Sequence, residues 1–248
     1  DARNWSCAYD AALTVLWNML QDYGSTHFQH LAMFYPALRC LQTGFEASIS
    51  DLHLLEVVRD AMRDKLSSLH PQRFPRTGTM ECAIFDVVST LLTSSTPFGC
   101  STYTCPHCSF TSLSHQEHLS SATFSVYPFH WDQSEPRPTV QTTTDCLRLV
   151  FNYANGPACR SCLHPMSSTT VIEHAPPMFA LEIQRPDSAG QPSILLQNTC
   201  SLSAVSGDVL YSLIGIVYAG GRHFTSRYFA RDHSAWYHDS AETGRSCI

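Results

Sequence analysis

Apolar positions recur at helical spacing through the first third of the chain and give way to short alternating runs after it. From Ser6 onward, Ala8, Ala11, Ala12, Val15, Leu16 and Met19 fall on one face, and Ser6 is a favourable N-cap directly before them. The pattern predicts a buried helix with Cys7 in its first turn. Gly24-Ser25 marks a turn, and His27 to Leu41 is a moderately amphipathic stretch in which Pro36 predicts a kink or a break. Ser50-Asp51 then caps a clearer helix, with Leu54, Leu55, Val58, Ala61, Met62, Leu66 and Leu69 on one stripe. Glu56, Arg59, Asp60, Arg63 and Asp64 are expected to cover its solvated side. A proline-rich loop, Pro71 to Thr79, precedes a further expected helix, Met80 to Thr93.

At Pro97-Phe98-Gly99 the helical period is lost. Cys100 to Thr104, Ser109 to Leu113 and Ala122 to Tyr127 read as strands, followed by an irregular loop from Pro128 to Pro138. Thr144-Asp145 opens a short helix with Leu147, Val150 and Phe151 inward, ending by Gly156-Pro157. Thr169 to Glu173, Met178 to Gln184, Ser193 to Gln197 and Tyr211 to Tyr218 are strand-like. Helices first and strands afterwards define an α+β class.

Composition narrows the function classes. A net charge of −6 without long runs argues against a nucleic-acid binder and permits a partner with a basic segment. No apolar run approaches the roughly 18 to 20 residues of a membrane span, and no signal peptide is evident, so the expectation is a protein with no membrane association. Eleven cysteines are many. Two pairs have C-x-x-C spacing, Cys105/Cys108 and Cys159/Cys162, and the rest are scattered in apolar segments, which fits a reducing intracellular compartment better than a disulfide framework.

The two pairs supply four thiolates among strand-like residues, as a closed tetrahedral structural zinc site requires. His107 is a poor substitute ligand beside four thiols. A redox C-x-x-C is the alternative, and it would want one pair at a helix start after a buried strand. Cys7 belongs to different chemistry. In the first turn of a helix a thiol meets unsatisfied N–H groups and the positive dipole end, which lower its pKa and favour nucleophilic attack. A buried core cysteine is the other reading of the same position. Near the far end, a strand, a glycine turn, a strand beginning at His223 and a third strand from Ala235 to Asp239 form a meander that can bring His223 beside Asp239. A thiol nucleophile needs an imidazole to accept its proton and a carboxylate to orient that imidazole, so Cys7, His223 and Asp239 are a sufficient set.

The Cys-bearing helix start, the paired C-x-x-C insertion and the ending Tyr211-x-Leu213-x-Gly215-Ile216-Val217, His223-Phe224 and Trp236-Tyr237-x-Asp239 together resemble the ubiquitin-specific protease family, in the family's order and over almost the whole chain. Val171 to Gln184, with Pro176-Pro177 before a strand, is also similar. The resemblance implies a single catalytic domain over 1–248 with a papain-like cysteine protease fold. It would comprise a helical thumb (1–95), zinc-bearing β fingers (96–170) and a β palm carrying the His/Asp box (171–248). It implies Cys7 as nucleophile, His223 as general base and Asp239 as the group orienting it, with one structural zinc on Cys105, Cys108, Cys159 and Cys162. The family's asparagine upstream of the nucleophile is replaced by Ala2, which leaves Asn4 as the nearest amide for the oxyanion. Cys7-Ala8-Tyr9-Asp10 and the short His-to-Asp interval are closer to the divergent SUMO isopeptidase of this family than to ordinary deubiquitinases. The function implied is removal of a ubiquitin-like modifier from lysine by cleavage after its C-terminal Gly-Gly, with SUMO favoured over ubiquitin as partner, in the nucleus or cytoplasm. Trp5 and Trp236 are candidates for walls of a narrow groove, with core packing as the other and favoured reading of both. The competing readings are a deubiquitinase of the same mechanism, a catalytically weak modifier-binding module, and a general papain-like endopeptidase.

Overall fold

The computed structural model describes residues 6–77, 81–126, 140–153, 158–184, 193–221, 223–244 and 247–248. The chain divides into two compact units, one formed by residues 1–93 with 214–248 and the other by residues 94–213.

The first unit is built on α1 (Cys7–Tyr23). Its buried face carries Ala8, Ala11, Ala12, Leu16 and Met19 as the spacing predicts, together with Tyr9, Leu13 and Leu20, which widen the stripe, while Val15 is only half-buried. α2 (Ser25–Phe34) and α3 (Pro36–Ser48) are separated at Tyr35, with Pro36 in the first turn of α3, where its missing N–H costs nothing. The expected break is therefore a change of helix. Phe45 of α3 packs edge-on against Trp17 and Phe28, at centroid distances of 5.6 and 5.8 Å. α4 (Leu54–Leu69) follows, with Met62 and Leu66 buried. Two expectations for α4 fail. Leu69 and Ala61 are exposed, and Arg63, placed by the pattern on the solvated side, is 1% exposed. Arg63 is held by its guanidinium over the Tyr9 ring at 5.5 Å, by Asp60 at 3.5 Å and by the Arg76 carbonyl at 3.3 Å. Asp51 accepts the His53 N–H at 3.0 Å and shapes the turn before the helix instead of capping it. α5 (Ile84–Leu91) starts later than expected, because Ala83 is extended; Thr79 and Met80 lie outside the described residues.

The C-terminal part of this unit is an antiparallel meander of β11 (Gly215–Gly220), β12 (His223–Phe229) and β13 (Ala235–His238). The register pairs Gly220 with His223 and Ser226 with His238. Close approach of α1 is possible because β11 begins with Gly215: a Cβ there would lie 2.6 Å from Val15 Cγ1. Asp22 at the end of α1 accepts the Tyr228 hydroxyl and the Arg231 N–H, both at 2.8 Å, which fixes the helix along β12.

The second unit holds a sheet of β1 (Gly99–Thr104), β2 (Thr111–Leu119), β5 (Asn152–Tyr153) and β6 (Ser167–Ile172) in the order β2-β1-β6-β5. Beside it are two parallel pairs. β3 (Thr123–Val126) pairs with β7 (Ala180–Ile183), and β4 (Val140–Thr142) pairs with β8 (Ser193–Leu195). α6 (Thr143–Phe151) opens with a reciprocal capping box: Asp145 N donates to Thr142 Oγ1 at 3.2 Å, and Thr142 N donates to Asp145 Oδ2 at 2.9 Å. Phe124 gathers Phe98, Phe151 and Phe179 around its ring. β9 (Thr199–Ala204) and β10 (Gly207–Ser212) form a hairpin that the sequence pattern does not announce. The run Tyr211 to Tyr218, expected as one strand, is two. The chain breaks where Leu213 N turns to the Asn198 carbonyl and Ile214 O accepts the Phe229 N–H. The loop expected at Pro128 to Pro138 and the helix end at Gly156-Pro157 fall outside the described residues.

Candidate active site and metal centre

Cys7 is the first residue of α1, and Asp10 N donates to the Ser6 carbonyl at 2.9 Å to close the first turn. The Ser6 hydroxyl does not cap the helix; it donates to Asp10 Oδ2 at 2.8 Å. Asp10 Oδ1 is held by Arg59 Nη1 of α4 at 3.1 Å. The backbone N–H groups of Phe224 in β12 and of Ala8 and Cys7 at the helix start act on the Cys7 thiol to lower its pKa. The N–H donors expected at a helix N-terminus are thus present. They do not win, however. Burial is the largest influence and raises the thiol, the Asp10 charge adds to it, and the net displacement is upward from 9.0. The lowered pKa expected from helix position alone is corrected accordingly.

His223 opens β12, directly before the Phe224 whose backbone meets the thiol. Its Nε2 lies 2.7 Å from Asp239 Oδ1. Asp239 follows β13 and is fixed from several directions. Ala241 N donates to the same Oδ1 at 2.9 Å, and the Tyr237 hydroxyl donates to Oδ2 at 3.3 Å. Glu242 N and Thr243 N donate to its carbonyl at 3.1 and 2.7 Å. Burial alone would raise this carboxyl, but the bonds from His223 and from the Ala241 N–H outweigh it and hold the group below 3.8. An ionised carboxylate can only accept, so Nε2 carries the proton and Nδ1 is left as the basic nitrogen. Register explains the meeting: Ser226 pairs with His238, so the strand ends carrying His223 and Asp239 converge.

Asn4 and Trp5 lie outside the described residues. Trp236 is 44% exposed and donates from Nε1 to Ser234 Oγ at 2.9 Å, so it is not a core residue. Of the residues that hold Asp239, Ala241 and Thr243 have no sequence signal, and Tyr237 enters the sequence reading only as part of the Trp236-Tyr237-x-Asp239 ending, with no role assigned. The run Trp236-Tyr237-His238-Asp239 carried the signal for Tyr237, since alternation puts its side chain on the same face as Asp239.

In the second unit the four C-x-x-C cysteines come together. The sulfurs of Cys105, Cys108, Cys159 and Cys162 all lie within 4.8 Å of one another, with Cys105 to Cys162 at 3.3 Å and Cys108 to Cys159 at 3.7 Å. Sheet register brings this about. Thr104 pairs with Ser167 across antiparallel β1 and β6, so the turn after β1 and the turn before β6 occupy the same end of the sheet. The turns repeat one design. Ser109 N donates to the Cys105 carbonyl and Cys105 N to the Phe110 carbonyl; Leu163 N donates to the Cys159 carbonyl and Cys159 N to the His164 carbonyl. Ser109 and Leu163, each directly after the second cysteine, take left-handed φ of 57° and 63°. Met166 packs beneath Cys105 and Cys159, all three fully buried. Four thiols so close cannot all ionise unaided. Burial raises Cys105, yet donors from the backbone of Cys108 and His107 and from the Cys162 thiol bring it to about 6. The His164 backbone lowers Cys162, yet burial and the neighbouring thiols carry it up to about 12. A divalent cation removes that conflict, and the donor set fits one metal ion with closed thiolate coordination. His107 and His164 stack on one another at 3.9 Å and fall outside this set of four. All eleven cysteines are free thiols.

No family model matches the sequence, and no curated protein matches it. Among solved structures, the chain is similar to the SAGA DUB module Ubp8/Sgf11/Sus1/Sgf73 bound to monoubiquitin, with 15% identity and a TM-score of 0.40, covering 84% of this chain and 48% of that chain. It is also similar to a yeast SAGA DUB module carrying an Sgf73 mutant, with 16% identity, a TM-score of 0.40 and coverage of 75% and 41%. A third likeness is to the PAN2 pseudoubiquitin-hydrolase of Saccharomyces cerevisiae, with 13% identity, a TM-score of 0.25 and coverage of 83% and 67%. The chain spans about half the length of the SAGA chains it matches. Among the described residues no helix is long and apolar enough to cross a membrane.

Proposed function

We propose that the chain is a thiol isopeptidase that removes a ubiquitin-like modifier from lysine by cleaving after the modifier's C-terminal Gly-Gly. The observation that carries the proposal is the His223 Nε2 to Asp239 Oδ1 bond of 2.7 Å, with the Cys7 thiol against the backbone of the next residue, Phe224. The resemblance of the sequence to the ubiquitin-specific proteases supplies the substrate class.

In this reading Asp239 fixes the imidazole through Nε2–H, and Nδ1 accepts the Cys7 proton. The raised thiol pKa means that Cys7 is protonated at rest, so proton removal accompanies attack on the glycine carbonyl. The carbonyl π electrons move to oxygen, where the Cys7 N–H at the helix start is one available donor. Asn4 is proposed as a second donor. His223 then returns its proton to the leaving lysine amine. Water, deprotonated by the same imidazole, opens the thioester and restores the thiol.

The metal proposed for Cys105, Cys108, Cys159 and Cys162 is one zinc ion, which would act structurally by closing the two turns on each other. The helical part (1–95), the metal-bearing part (96–170) and the C-terminal part (171–248) would then be thumb, fingers and palm of a papain-like fold. The sequence Cys7-Ala8-Tyr9-Asp10 and the short His223-to-Asp239 interval favour SUMO over ubiquitin as modifier. The free cysteines and the thiol chemistry suit a reducing compartment, the nucleus or cytoplasm.

The test is hydrolysis of SUMO and of ubiquitin joined through an isopeptide bond to a lysine peptide. Release of the peptide from SUMO, abolished by Cys7→Ala and by His223→Ala, is the expected result. A folded, metal-loaded protein that cleaves neither conjugate would refute the proposal.

A further inference from the structure

His238 stands beside Asp239 and is 6% exposed, although an imidazole has two polar nitrogens to satisfy. Each nitrogen meets a different part of the first unit. Nε2 is 3.1 Å from the Gly244 carbonyl, in the turn that holds Asp239. Nδ1 is 3.5 Å from Thr14 Oγ1 on α1, the helix that begins with Cys7. A carbonyl only accepts, so Nε2 carries the proton and Nδ1 faces the Thr14 hydroxyl as acceptor. Across the sheet His238 pairs with Ser226 of β12, two residues beyond the Phe224 whose backbone meets the Cys7 thiol. The ring therefore touches the helix of the thiol and the turn of the carboxylate, and its own strand is paired with the strand of the imidazole. His223, Asp239 and Cys7 do not bond to it.

We infer that His238 is a positioning residue that clamps the Asp239 turn to α1 and so sets the reach between the His223 imidazole and the Cys7 thiol, an inference that rests on the proposed isopeptidase reading. The Nε2 bond holds the turn at Gly244, the Nδ1 contact ties that turn to Thr14 of α1, and the turn fixes the Asp239 main chain through Glu242 N and Thr243 N. Without the clamp, Asp239 keeps its local bonds but loses its place relative to the helix. A misplacement of about 1 Å in a reacting constellation costs on the order of 100-fold in rate while leaving substrate binding in place.

The test compares wild type with His238→Ala, His238→Gln and Thr14→Val. The glutamine keeps a donor and an acceptor, and the valine preserves shape on α1 while removing the hydroxyl. Two readouts are taken: kcat and KM for SUMO and ubiquitin carrying a C-terminal aminocoumarin, and the solvent exchange of the His223 Nε2 proton in spectra of protein with nitrogen-labelled histidine. Expected are a kcat about 10- to 100-fold lower in His238→Ala at unchanged KM, faster exchange of that proton, partial recovery in His238→Gln, and a milder loss in Thr14→Val. A folded His238→Ala with wild-type kcat and wild-type exchange would overturn the inference, as would a change confined to KM. If wild type hydrolyses neither substrate, the isopeptidase reading fails while the exchange measurement still decides the role of His238.

Discussion

His223 Nε2 and Asp239 Oδ1 are 2.7 Å apart, and this one bond fixes the tautomer of the imidazole. Because Asp239 is itself tied by the Ala241 N–H and the Tyr237 hydroxyl, the carboxylate cannot follow the ring, and a turn of the imidazole breaks its charge-assisted bond to Asp239. The basic nitrogen is then held on the side away from Asp239.

Removing the carboxylate should therefore cost rate and leave the thiol in place. Asp239→Ala is expected to lower kcat by at least about 100-fold, as loss of the orienting carboxylate does in comparable triads. Alkylation of Cys7 by iodoacetamide should persist. Unchanged turnover in Asp239→Ala would show that His223 is oriented by something else.

The second prediction concerns pH. The Cys7 thiol lies above 9.0, chiefly through burial and in part through the Asp10 charge. A raised thiol pKa means that the reactive thiolate accumulates only at higher pH, so the alkylation rate of the free protein should still be climbing past that value. Asp10→Asn removes a negative neighbour, lowers the pKa and should move the profile toward lower pH. The variant also loses the ion pair to Arg59, so its melting temperature is measured alongside. A profile that stays put or moves upward would contradict the electrostatic account.

Helix α1 and the meander were legible in the sequence because each depends on local pattern. The small and apolar stripe from Ala8 to Met19 can only face a core, and Gly220-Gly221 with His223 marks a turn between strands. The meeting of the two C-x-x-C pairs was legible from ligand chemistry, although the Thr104 to Ser167 register that causes it was not. Other features depend on tertiary context. Arg63 carries a charge that pattern places outside, but its stem and its contact with the Tyr9 ring repay burial. The β9–β10 hairpin sets the exposed apolar Val209 and Leu210 among small polar residues, with Leu202 buried, so it lacks the in-out alternation that announces a strand; its turn falls at Gly207, which takes a φ of 116°. The direction of the Cys7 pKa depended on how deeply the first turn is covered, which helix position alone does not tell.

The metal centre and the thiol lie in different units, which gives a third prediction. Cys105→Ser or Cys159→Ser should lower bound zinc from one ion per chain to a fraction of that, reduce the melting temperature and weaken modifier binding. The Cys7 alkylation rate should stay within about twofold of wild type, since no bond to the thiol is removed. Soluble variants with full zinc content and unchanged stability would remove the metal from the account.

The central claim is that Cys7 attacks the C-terminal glycine of a ubiquitin-like modifier. The most direct measurement incubates folded, metal-loaded protein with SUMO and with ubiquitin, each carrying a thiol-reactive propargylamide in place of its C-terminal carboxylate, for wild type and Cys7→Ala in parallel. The account predicts one covalent adduct per chain, formed faster with SUMO than with ubiquitin and absent in Cys7→Ala. No adduct with either modifier, or an adduct that persists in Cys7→Ala, would contradict it.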